Sequence, residues 1–148
     1  MKFSKDTLNF NKEILFGELG AVAGTQIGGY ISSNLTDSST IISYSVVFGA
    51  LVGASLFWLV MRVYDKSKKE KYSREKFIFD LKYFTPASAF FTFTCYYPTL
   101  FLITKYLLEH KTIVMFSAIF SQFIAFSFFL LGINTYRYVL IKVFNKEL

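Results

Sequence analysis

Four apolar stretches run through this chain of 148 residues, at 14–35, 41–64, 84–108 and 113–139, each 22 to 27 residues long. A helix rising about 1.5 Å per residue needs roughly 20 residues to cross a hydrocarbon core about 30 Å thick. Four such stretches in so short a chain leave too little polar sequence to wrap them in water. Hydrocarbon supplies no partner for a free N–H or C=O, so each span is expected to be a helix. None of the four alternates polar and apolar residues as a barrel strand does. The expected fold class is therefore all-α: a polytopic membrane protein with four transmembrane helices in one domain, 1–148. Composition agrees, with 53% hydrophobic residues, 20% aromatic residues and nineteen Phe.

Basic residues give the expected orientation. Of sixteen Lys and Arg, three precede the first span (Lys2, Lys5, Lys12), none lies between the first and second, and eight run from Arg62 to Lys82. Two (Lys105, Lys111) sit between the third and fourth spans and three follow from Arg137. By the positive-inside rule both termini and the basic loop 65–83 face the cytoplasm of a multi-pass protein in the cell membrane. The polar amino terminus MKFSKDTLNFNKE leads into a full-length span, so the first helix is expected to be retained rather than cleaved. Asn34-Leu35-Thr36 has the glycan-acceptor pattern, in a turn too short for easy modification.

Small residues dominate the segment GELGAVAGTQIGG. Gly17, Ala21, Gly24 and Gly28 follow at spacings of four, three and four, a narrow stripe on a helix. The second span carries Gly49 and Gly53, with Ser45 one turn earlier. In lipid, close backbone approach through small residues is a main source of helix association, so spans one and two should form a tight hairpin. The third span has a related edge in Ser88, Thr92, Cys95 and Thr99. Similar entry segments, FNKEILF at Phe10 and FIFDLKY at Phe77, and similar basic aromatic ends, MRVYD and TYRYV, are compatible with a two-helix parallel repeat. Pro98, in YYPTL, should kink the third span by freeing the carbonyl of Thr94.

Six residues form the candidate polar site: Glu18, Gln26, Arg62, Gln122, Asn134 and Arg137. Glu18 lies about four residues into its apolar stretch, near the cytoplasmic boundary. One reading makes it a boundary carboxylate favoured by the helix dipole, or a structural ion pair. The other pairs it with Arg62 or Arg137 as the polar floor of a cavity, since ionisable groups inside a membrane are functional suspects. Gln26 and Gln122 suit a contact with each other, as glue between helices or as part of a substrate site. The six Phe between Phe116 and Phe129 read first as lipid-facing and core packing.

Catalytic patterns are absent from the sequence. There is one His (His110) and one Cys (Cys95), too few for a zinc or copper set, and no nucleophile elbow, phosphate loop or dinucleotide fingerprint. The expectation is no enzyme, no cofactor and no metal. The stretch 62–82 carries a net charge of only +4, because Asp65, Glu70, Glu75 and Asp80 interleave with its eight bases. That suits a solvated connector or adsorption to anionic headgroups rather than nucleic acid.

Two functional classes remain. The sequence FGELGA at Phe16 to Ala21, and the closing run from Asn134 through Arg137 to Phe144, resemble the opening and closing patterns of the GtrA-like family. The chain departs from that family's pattern where an Asn-Thr pair would follow the first glycine and where an Asn would close the second span. The resemblance implies a four-helix helper in moving a polyprenyl-linked saccharide across the membrane, with lipid as its surroundings. The alternative is an accessory subunit of a larger membrane complex, with other membrane subunits or a homo-oligomer as partners.

Overall fold

The computed structural model describes residues 5–68, 82 and 85–144, with side chains described for 12, 14–61, 82 and 85–142. Four long helices make up this part: α1 (Lys5–Ser33), α2 (Ser39–Lys68), α3 (Thr85–Glu109) and α4 (Val114–Phe144). Among the described residues there is no strand. The helices run alternately up and down. Gly20 faces Gly53 and Gly28 faces Ser45, Phe91 faces Gly132, and Glu18 and Gln26 reach Gln122 and Met115, each pairing rising as its partner falls. Both short turns therefore lie at one end of the bundle, the turn end. The opposite, or tail, end holds the start of α1, the α2–α3 connector and the end of α4.

Three helices, α2, α3 and α4, are long and apolar enough to cross a membrane. The first helix, expected as an equal fourth span, falls short of them because glycines, Glu18 and Gln26 dilute its apolar content. Outward-facing side chains are apolar nonetheless. Ile27, Phe48, Val60, Phe93 and Leu131 are all exposed, and of the six Phe between Phe116 and Phe129 four are exposed, Phe126 is half-buried and only Phe129 is buried. Water around such a surface would be strongly unfavourable, whereas lipid is not.

The α1–α2 interface is a backbone contact. A Cβ added to Gly20, Gly24, Gly49 or Gly53 would overlap a carbonyl of the facing helix, and one on Gly28 would overlap that of Ser45. The contact line is thus Gly20, Gly24 and Gly28 against Gly53, Gly49 and Ser45, spaced by four on both helices. This corrects the expected stripe. Gly17 is less tightly packed, since a Cβ there would meet the Ala54 carbonyl at 4.0 Å, an ordinary contact, while Ala21 is buried in the core cluster that also holds Val46 and Ala50. A spacing of four on each side drifts together around the two helices and keeps the carbonyls in step, which a four-three-four stripe would not.

α3 contains a wide π turn over Thr92–Tyr96, in which the Tyr97 N–H reaches back to the Thr92 carbonyl. The turn directly precedes Pro98, which has no N–H to donate, and widened turns are a common accommodation of such a break. The Thr94 hydroxyl donates to the Phe90 carbonyl at 2.6 Å, satisfying an acceptor inside the disturbed region. The buried seam of α3 is Tyr96, Leu100 and Thr104, while the expected Ser88, Thr92, Cys95, Thr99 edge is half-buried beside it. At the turn end α3 closes with Lys111 at a positive φ of 59° and a Thr112 N–H to Leu107 carbonyl bond of 3.0 Å, a helix-ending pattern that usually employs Gly.

Candidate polar site at mid-span

Glu18, Tyr96 and Gln122 meet where α1, α3 and α4 converge. Gln122 Nε2 donates to Glu18 Oε1 at 2.7 Å, the Tyr96 hydroxyl donates to Glu18 Oε2 at 3.2 Å, and Gln122 Nε2 also donates to the Tyr96 oxygen. Gln122 is 1% exposed and Tyr96 6%. Local structure sets each position. Gln122 lies on the α4 seam that buries Ser117, Ser121, Ala125 and Phe129, so its amide has no route outward. Tyr96 ends the π turn and is held edge-on by Phe129, ring centroids 6.1 Å apart. Glu18 reaches both because the glycine contact draws α1 onto α2 and leaves its other side for the bundle interior.

Glu18 lies deeper than the boundary position expected of it. It is the fourteenth residue of α1, which begins nine residues before the apolar stretch. A first-turn helix-dipole role therefore does not apply, because that effect fades within a turn. Tyr96 is the twelfth of the 25 residues in Thr85–Glu109, which sets the cluster near the middle of that span.

The expected pairings resolve differently. Gln26 does not meet Gln122: its amide reaches the Met115 carbonyl at 3.5 Å, two turns nearer the turn end. Arg137 is buried at 4% exposure, yet it is fifteen residues from Gln122 along α4, about 22 Å by helical rise, too far for its side chain to reach Glu18. Asn134 donates to the Leu130 carbonyl at 2.9 Å and lines a shallow groove with Leu131, Thr135 and Tyr138. The Arg62 side chain and residues 69–81 and 83 of the connector, with them all but one residue of the FIFDLKY segment compared for a repeat, lie outside the described residues. Of the six candidates, the structure joins Glu18 and Gln122 and adds Tyr96. The signal for Tyr96 was a phenol two residues before an interior proline, in a span otherwise lined by rings.

Further buried polar groups lie toward the turn end. Thr25, Thr104, Ser117 and Ser121 are fully buried. The hydroxyls of Thr25, Ser117 and Ser121 donate to carbonyls of their own helices at 2.7, 3.1 and 2.6 Å, whereas Thr104 Oγ1 and Gln122 Oε1 are buried without a partner. Among the described residues no three of His, Cys, Asp and Glu gather as a metal site. Comparison of the chain with protein-family models, with curated proteins and with solved structures found no match.

Proposed function

We propose that the chain is a four-span protein of the cell membrane, both tails cytoplasmic, which acts without catalysis of its own as a helper in translocating a polyprenyl-linked saccharide, as the resemblance to the GtrA-like family implies. The observation carrying this reading is the Glu18–Tyr96–Gln122 cluster: a carboxylate bonded across two hairpins in mid-span, where ionisable groups usually mark a transport route. The glycine contact supports a fourth crossing, because α1 lies against α2 from Gly20 to Gly28 and is carried with it. Reconstitution tests the activity directly. Vesicles holding the purified chain and a fluorescent polyprenyl-phosphate sugar should expose inner-leaflet label to an impermeant quencher faster than protein-free vesicles, and equal rates would end the proposal.

A second reading, an accessory subunit, has its own observation. On the tail-end half of α2, Leu56, Phe57, Leu59 and Val60 are exposed in succession around the helix. Purification in mild detergent separates the readings: stoichiometric foreign subunits favour the accessory role, and a lone chain or homo-oligomer the carrier role.

A further inference from the structure

We propose that Glu18 is a reversible proton-binding site, served from the turn end of the bundle by buried hydroxyls. The inference rests on the membrane-spanning reading and does not depend on which cargo, if any, is moved.

The cluster is a carboxylate held by neutral donors, with no cation in it. Its polar hydrogens are the Tyr96 O–H and the two N–H of the Gln122 amide, and all three are engaged, two on Glu18 and one on the Tyr96 oxygen. The acceptor left over is Gln122 Oε1, buried and unpartnered, on the amide that already contacts the carboxylate. A proton added to Glu18 forms an O–H bond and removes a charge that no Lys, Arg or His offsets within this cluster. Loss of the proton restores the carboxylate that the Tyr96 hydroxyl and the Gln122 amide bond. A carboxylate held among apolar helices without a cation is costly, so a proton is a favourable occupant.

The surroundings are asymmetric. Toward the turn end, Ser121, Thr25, Ser117 and Thr104 are fully buried, and Thr104 has a hydroxyl still to be satisfied. Toward the tail end the α4 seam continues with Phe129 and Ile133, and no polar side chain on it is fully buried before Arg137. The ionisable groups near Glu18 are few. From α3 come Tyr96, with Tyr97 and Cys95 in the same turn; α4 has none between Val114 and Thr135, α2 none between Ser45 and Met61, and on α1 the nearest in sequence are Glu13 and Lys12.

Dicyclohexylcarbodiimide tests this in the full-length protein in lipid vesicles. This membrane-soluble reagent takes up the proton of a carboxylic acid at nitrogen while the carboxylate oxygen bonds to its central carbon, and the adduct rearranges to a stable N-acylurea readable by peptide mass. Glu18 should be labelled, the adduct should disappear as pH is raised, and Glu18→Gln should lose it. In vesicles of uniform orientation the labelling should follow the pH bathing the turn end. Gln122→Leu, which keeps Glu18, should shift the pH at which labelling is half lost, and this holds the test open if Glu18→Gln does not assemble. An unlabelled Glu18, labelling indifferent to pH, or labelling governed from the tail end would overturn the proposal. A chain that proves soluble without detergent would instead break the membrane reading.

Discussion

Along the α1–α2 hairpin, glycines place two backbones in direct contact, with the carbonyls of Gly24 and Gly49 each against the opposite glycine. Along α3–α4 the helices meet through rings: Phe91 covers Gly132, and Phe129 stands edge-on to Tyr96. Both hairpins cross a similar length, yet they divide the work differently. The first meets mainly through backbone, with side chains only at its two ends, Ser45 and Phe57, so it acts as the more rigid piece. The second meets through groups with torsional freedom, and it holds the π turn and both orphaned acceptors, Thr104 Oγ1 and Gln122 Oε1. Dispersion at short range fixes one half of the bundle and leaves adjustment to the other.

Substitutions at the two seams would break or sharpen that contrast. The largest loss is expected for Gly24→Leu, where a side chain meets the Gly49 carbonyl and neither backbone can retreat: about 3 kcal/mol or more, measured by unfolding in mixed detergent micelles. A loss under ~1 kcal/mol would show that the hairpin can open. Gly132→Ala comes next. Its Cβ would stand 2.7 Å from the Phe91 ring, which can rotate away, so about 1–2 kcal/mol is expected, together with altered ring packing by NMR. Tyr96→Phe removes one donor from Glu18 and should cost about 0.6–1 kcal/mol, the range of hydrogen bonds between membrane helices. The smallest effect belongs to Gly17→Ala, where the added Cβ would meet the Ala54 carbonyl at an ordinary 4.0 Å contact and stability should hold or rise by about 0.5 kcal/mol in the same titration. A severe loss there would restore the stripe through Gly17 that the sequence suggested.

Much of the architecture was legible because hydrophobic length is a local property. The expected span 41–64 lies within the helix that runs from Ser39, and the spans 84–108 and 113–139 lie, but for their first residues, within helices that run from Thr85 and Val114. A tight first hairpin was legible as well, since small residues four apart have one obvious use. The facing residues were harder: the sequence suggested a stripe through Gly17 and Ala21, and only the partner helix puts Gly20 against Gly53. The site was half legible. Glu18 and Gln122 stand out as polar groups in apolar spans, but their contact depends on the relative slide of α1 and α4, which no local pattern records. Tyr96 depends further on the π turn, whose extra residue re-aims the side chains on one part of α3 relative to the rest.

That extra residue has a geometrical consequence. Between Thr92 and Tyr96 the chain holds one residue more than an α-helical winding would use. Winding the same residues as a plain α-helix would swing everything from Thr85 to Phe91 by about 100° around the axis, while Leu100 and Thr104 kept their bearing. Phe91 would leave its seat over Gly132. α3 is in effect two short rods on different compass headings, joined at the point where the phenol enters the bundle.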